Sequence, residues 1–203
     1  MTLKTRGNSR LLFMITMAVT FWVTEGCATW KVVRASGPPS ALKGANEVVV
    51  QFDYSKMLVN STGSDSLNEE EWVARKLQKE PEYRTTWADL KGRFEKGVLE
   101  GVQDRFSGGA IVRPASAGDV PPGAVVLQVQ VRRFQLGQYI PFVLPPTILK
   151  VELIYLAGGQ VTDEIAVERA AGHDIIQPSV FSVISGLSRS VGDAGGAYLK
   201  RAQ

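Results

Sequence analysis

From Leu149 to Val167, apolar side chains recur at every second position on either side of a glycine pair. Leu149, Val151, Leu153 and Tyr155 alternate with Lys150 and Glu152; Gly158-Gly159 follows; then Val161, Ile165 and Val167 are interleaved with Thr162, Glu164 and Glu168. A period of two puts one set of side chains on one face of a strand. A two-residue glycine loop matches the twist of an antiparallel pair. The segment therefore predicts a β-hairpin with one buried face, which commits the chain to a sheet covered on one side.

The remaining elements follow from the same patterns. Glu47–Asp53 predicts a first strand, with Val48, Val50 and Phe52 on one face. The polar run Asn60–Asp65 reads as a turn; Ser66 followed by Glu69 has capping-box spacing and predicts a helix over Leu67–Lys79. The acidic run Glu69-Glu70-Glu71 suits the positive end of that helix dipole. A second helix, from about Pro81 to Phe106, carries Trp87, Leu90, Phe94 and Val98 on one stripe, and Ser107-Gly108-Gly109 stops it. Gly97 and Gly101 cost that helix propensity, which implies close approach to a sheet.

Ala110–Arg113 is a short strand. In Ala124–Leu136, Val125, Leu127, Val129 and Val131 alternate, and the phase flips to Phe134 and Leu136 at Arg132-Arg133, where a bulge is expected. A last helix spans about Pro178–Arg201, with Val180, Ile184, Leu187, Val191, Ala194 and Tyr198 as its stripe. Gly186, Gly192, Gly195 and Gly196 interrupt it, which suits tight packing on a sheet or on another helix. The fold class expected is α+β: a single domain, a mostly antiparallel sheet, two helices after the first strand and a C-terminal helix packed on the sheet.

Composition excludes several classes. The 203 residues are 44% hydrophobic and 21% charged, an ordinary globular mixture. One Cys and one His leave no disulfide framework and no basis for a Cys/His zinc site. Net charge is +3, of which residues 1–26 hold +2 through Lys4, Arg6 and Arg10 against Glu25. The rest carries +1 and has no electrostatic footprint for nucleic acid. No metal or cofactor is expected.

The N-terminus is MTLKTRGNSR, then the 14 apolar-rich residues LLFMITMAVTFWVT, then EGCATW. A basic region, a short apolar core and a small-residue exit form an export signal. As a helix the core covers about 21 Å, short of the roughly 30 Å of bilayer hydrocarbon. The sole Cys, Cys27, follows Gly26 directly. Here the chain resembles bacterial lipoprotein precursors, in which a Cys after a small residue is acylated and the leader is cut before it. Val23, Gly26 and Cys27 fit that pattern; Thr24 and Glu25 depart from it.

The resemblance implies a signal peptide over 1–26, lipidation at Cys27 and a membrane partner reached through acyl groups. Ala28 rather than Asp after the Cys implies the outer membrane, facing the periplasm. Ordinary cleavage between Gly26-Cys27-Ala28 and Thr29, or an uncleaved anchor, are the alternatives. Residues 27–46, with Gly37-Pro38-Pro39-Ser40, read as a lipidated N-terminus and flexible tether ahead of a domain over 47–203. Trp30, with Lys31 and Arg34, suits either lipid headgroups or packing on the domain. The stretch PSALKGANEVVVQFDYSKMLV resembles the opening of an uncharacterised family of proteobacterial lipoproteins, which brings no catalytic residues.

No catalytic constellation is legible. His173 stands in Ala-Gly-His-Asp with no G-x-S-x-G elsewhere, and no phosphate loop or dinucleotide fingerprint occurs. Asp163 and Glu164 are adjacent on a strand and point to opposite faces. One connection is unusual. Residues 137–147 contain three prolines, yet Tyr139, Ile140, Phe142, Val143 and Leu144 are apolar. Such a loop either completes the core or forms an interaction surface for an envelope protein or membrane. The expected function is a lipid-anchored envelope protein that binds or assembles without catalysis. The alternatives are a soluble periplasmic small-molecule-binding protein and an envelope hydrolase.

Overall fold

The computed structural model describes residues 30–37, 40–61, 63–106, 111–115, 120–137, 145–172 and 179–202. Four expectations lie outside them: the leader with Cys27, the helix stop Ser107-Gly108-Gly109, the apolar connection Tyr139–Leu144, and His173. The described residues form β1 (Trp30–Arg34), β2 (Glu47–Asp53), β3 (Leu58–Ser61), β4 (Leu67–Asn68), α1 (Glu69–Leu77), α2 (Tyr83–Arg105), β5 (Ile111–Pro114), β6 (Val125–Leu136), β7 (Thr147–Ala157), β8 (Gln160–Ala171) and α3 (Val180–Ala202). The α+β class holds, with α3 packed on the sheet.

The sheet runs β1-β8-β7-β6-β2-β5. Its spine, β6-β7-β8, is antiparallel, and β1 adds antiparallel to β8. β2 lies parallel to both β6 and β5. The predicted bulge sits in β6, where pairing passes from Val131↔Val151 to Arg133↔Lys150. The extra residue, Arg132, flips the phase, so Val131 and Phe134 both face the core, fully buried. The bulge also marks where β6 changes partner: β2 pairs with it up to Gln130, and β3 takes over at Arg133.

The hairpin forms as predicted, with Gly158 and Gly159 at φ +59° and +79° in the turn. One residue departs from expectation. Pairing skips Thr162, whose hydroxyl donates to the Tyr155 carbonyl, so Val161 sits opposite Leu156 and Asp163 opposite Tyr155. Val161 therefore leaves the buried phase, and Asp163 occupies it, 3% exposed.

Helix α1 starts two residues later than expected. Leu67-Asn68 pairs back onto Leu58 and Val59 as β4, which holds the chain extended until Asn68. The capping box is Asn68 with Glu71, not Ser66 with Glu69: Asn68 Oδ1 accepts from Glu71 N–H at 2.9 Å. Glu69 is drawn instead to α2, accepting from Trp87 Nε1 at 2.8 Å and Lys91 Nζ at 2.6 Å.

Gly97 and Gly101 of α2 face α3, not the sheet as expected. A Cβ at Gly97 would land on Ser188 Oγ, and one at Gly101 on the Arg189 carbonyl. Reciprocally, a Cβ at Gly192 would land on the Val98 carbonyl, and one at Gly196 would lie 2.7 Å from the Val102 carbonyl. Four absent side chains let the two backbones touch. Gly195 alone of that cluster faces the sheet, toward Leu153, Leu127 and Tyr155. Below the helices, Phe94 of α2 meets Phe134 and Phe52 edge to face at 5.9 and 6.0 Å.

Residues 28–46 are corrected as well. The described part of that stretch is no loose tether. β1 pairs Trp30↔Val167, Lys31↔Ala166 and Val32↔Ile165. Trp30 packs edge to face on Tyr198 at 6.5 Å, so its domain-packing reading holds. Leu42 is 1% exposed and belongs to the core. Gly and Pro content suggested a linker, but tertiary contacts available to Trp30 and Leu42 outweigh local preference.

Candidate functional site

Strand alternation assigns each residue of the β6-β7-β8 spine to one of two faces. One face carries Leu127, Val129, Leu149, Val151, Leu153, Ile165 and Val167 under the helices, all buried. The other carries Lys150, Glu152, Glu164, Ala166 and Glu168, half-buried or exposed. Near the β1 edge this second face forms an open hollow of about 500 Å³ lined by Lys31, Arg132, Lys150, Glu152, Ala166 and Glu168, with Trp30, Val151 and Val167, whose side chains turn to the helix-covered face, at its base.

The hollow's charges are mostly paired. Arg132 Nη2 meets Glu152 Oε2 at 2.5 Å, and Lys150 Nζ meets Glu168 Oε2 at 3.0 Å. Both pairs are partly solvated, so each contributes at most about 1 kcal/mol. Among the described residues, Lys31 forms no ion pair and Arg132 Nε is buried without an acceptor. The bulge that inserts Arg132 into β6 thus also supplies the guanidinium of this hollow. An open surface with Lys31 and the Arg132 guanidinium on it can hold an anionic group; it does not present a nucleophile next to a base.

Behind β1 lies a second polar cluster. Asp163 accepts from Ser36 N–H at 3.1 Å, Ser36 Oγ at 3.0 Å and Tyr198 OH at 2.9 Å. Burial pushes its carboxyl up, but these hydrogen bonds and one from Thr162 outweigh it and hold the group below the ordinary carboxylate range. Tyr198 is pushed up to about 12 by burial and by the Asp163 carboxylate it donates to. Tyr155, fully buried, stacks on Tyr198 at 5.1 Å and donates to the Gly195 carbonyl at 3.1 Å. Its phenol is raised, by burial first and then by Tyr198 and Asp163. Every member has a structural partner, so the cluster is a clamp that ties β1, β8 and α3 together.

Neither sequence-singled site falls inside the described residues: Cys27 precedes Trp30 by three positions, and Tyr139–Leu144 lies between Gly137 and Pro145. The topology does bring their flanks to one end of the sheet. β6 ends at Leu136, β7 begins at Thr147, and β1 begins at Trp30 opposite Val167, near the end of β8. The hollow itself was missed by sequence reasoning. Its signal was the polar set between apolar positions, Lys150, Glu152 and Glu168, which sequence alone registers only as a solvated face. Among the described residues, no group of three or more His, Cys, Asp or Glu side chains could hold a metal ion, and no helix is long and apolar enough to cross a membrane.

The fold and hollow define an α+β domain with one helix-covered and one open, ionic sheet face. No protein-family model matches the chain, and no curated protein matches it. Among solved structures it is similar to PelC from Paraburkholderia phytofirmans, seen as a dodecamer, with 15% identity over 83% of this chain and 99% of that one, at a TM-score of 0.45. It is likewise similar to protein XCC0632 from Xanthomonas campestris, of the DUF330 family, with 12% identity over 83% of this chain and 91% of that one, also at 0.45.

Proposed function

We propose that this chain is a lipid-anchored cell-envelope protein that works by binding or assembly, without catalysis, held to the outer membrane on the periplasmic side. The observation that carries the reading is Cys27. It is the only Cys of 203 residues and stands directly behind an export signal. Acylation explains that position, and two or more acyl chains anchor a protein stably where one gives marginal binding. The open, ionic sheet face supports a binding role, because among the described residues no helix or strand covers it. The apolar connection Tyr139–Leu144 is the second candidate surface, a membrane or an envelope protein being its partner.

The test is the intact mass of the mature N-terminus from the membrane fraction, beside a Cys27→Ser control. A mass beginning at Cys27 with added acyl groups is expected. A mass beginning at Thr29 in the soluble fraction would overturn the anchor and make a periplasmic small-molecule-binding protein the better reading.

A further inference from the structure

We infer that the open face beside Trp30 lies directly against the bilayer, with the Trp30–Lys31 hollow seated on anionic lipid headgroups. This rests on the lipid-anchor reading and adds an orientation and a ligand chemistry to it. The first argument is length. β1 begins at Trp30, three residues after Cys27, and three residues span at most about 11 Å. An acylated Cys27 would therefore hold the β1 end of the sheet within headgroup distance; the stretch that could have acted as a spacer is built into the fold instead.

The second argument is rigidity. Trp30 is fixed by pairing with Val167 and by its contact with Tyr198, and the chain beyond β1 is clamped where Ser36 meets Asp163. The edge strand cannot swing away from the domain without losing these contacts. The third is chemistry. The hollow sets Lys31, which has no ion pair among the described residues, near Arg132, whose Nε lacks an acceptor. Its lining carries Lys31, Arg132 and Lys150 against Glu152 and Glu168, a net +1. Cationic side chains on an open face suit an anionic headgroup layer.

The test uses the acylated full-length mature protein in vesicles of phosphatidylcholine and phosphatidylglycerol that contain a headgroup-quencher lipid. With Cys27 blocked by acylation, Ala166→Cys in the hollow and Gln160→Cys in the distant β7–β8 turn each offer one thiol for a fluorophore. Stronger quenching at 166 than at 160, reduced several-fold by Lys31→Glu or by omitting phosphatidylglycerol, is expected. Equal quenching at both positions, or none at either, in protein whose acyl mass is confirmed would overturn the orientation. Protection at 166 that ignores the quencher lipid, as a second copy of the chain would give, would overturn it too. Absence of acyl mass would overturn the lipid-anchor reading on which it rests.

Discussion

Asp163 holds Ser36 through both carboxylate oxygens, Oδ1 on the Ser36 N–H at 3.1 Å and Oδ2 on its hydroxyl at 3.0 Å. This bond spans 127 positions of sequence and turns the segment after β1 from a linker into part of the domain. Asp163→Asn is expected to cost about 2 kcal/mol, the range for hydrogen bonds to a buried charge. Ser36→Ala should cost about 1 kcal/mol. Urea unfolding checks both, and faster amide exchange confined to β1 should accompany them.

The same cluster sets two limbs of the pH–stability curve. Asp163 is held below its ordinary value, so its contribution is present above the unfolded value, near 3.9, and is lost as pH falls through the folded value. Asp163→Asn should flatten the acid limb. Tyr198 is raised to about 12, so its contribution is present below about 10 and is lost as pH rises from there through 12. Tyr198→Phe should flatten the alkaline limb. Thermal melts across pH measure both; an unchanged alkaline limb in Tyr198→Phe would count against this assignment.

Glycines in α3 should respond to alanine with opposite signs. Gly192→Ala drives a methyl into the Val98 carbonyl of α2 and should destabilise by about 1–3 kcal/mol. Gly186→Ala adds a methyl in open space within the same helix and should stabilise by about 0.5–1 kcal/mol. Denaturant midpoints of the two variants decide the point, since a loosely packed helix pair would give a gain at both.

Leu42 separates a tether from a folded segment. Its side chain is 1% exposed, and Leu42→Ala should cost about 2–5 kcal/mol. A residue in a solvated linker would cost nothing measurable. Calorimetric unfolding of the single variant suffices.

The apolar connection gives the remaining prediction. Replacing Phe142 and Leu144 together with Ser should leave the melting temperature within a few degrees and weaken partner or membrane association. A large loss of thermal stability would instead place the loop in the core.

The sheet was legible in sequence wherever one face is buried, because period two and a glycine turn are local signals. Leu149–Tyr155, the Gly158-Gly159 turn and the Arg132-Arg133 phase flip needed no tertiary information, and the α+β class follows from them. The apolar leader and Cys27, on which the proposed anchor rests, are equally properties of the linear chain. What only the tertiary structure decided are the places where a distant partner outweighs a local preference. Asn68 replaced Ser66 as the cap because β4 pairs with β3. Gly97 and Gly101 met α3 rather than the sheet, since a missing side chain records close approach but not the identity of the neighbour. Trp30 and Leu42 left the expected tether because burying them against Tyr198 and the core stabilises more than chain freedom opposes. The hollow arises the same way: Lys31, Arg132 and Lys150 come from three strands, and only the register of β1, β8, β7 and β6 sets them side by side.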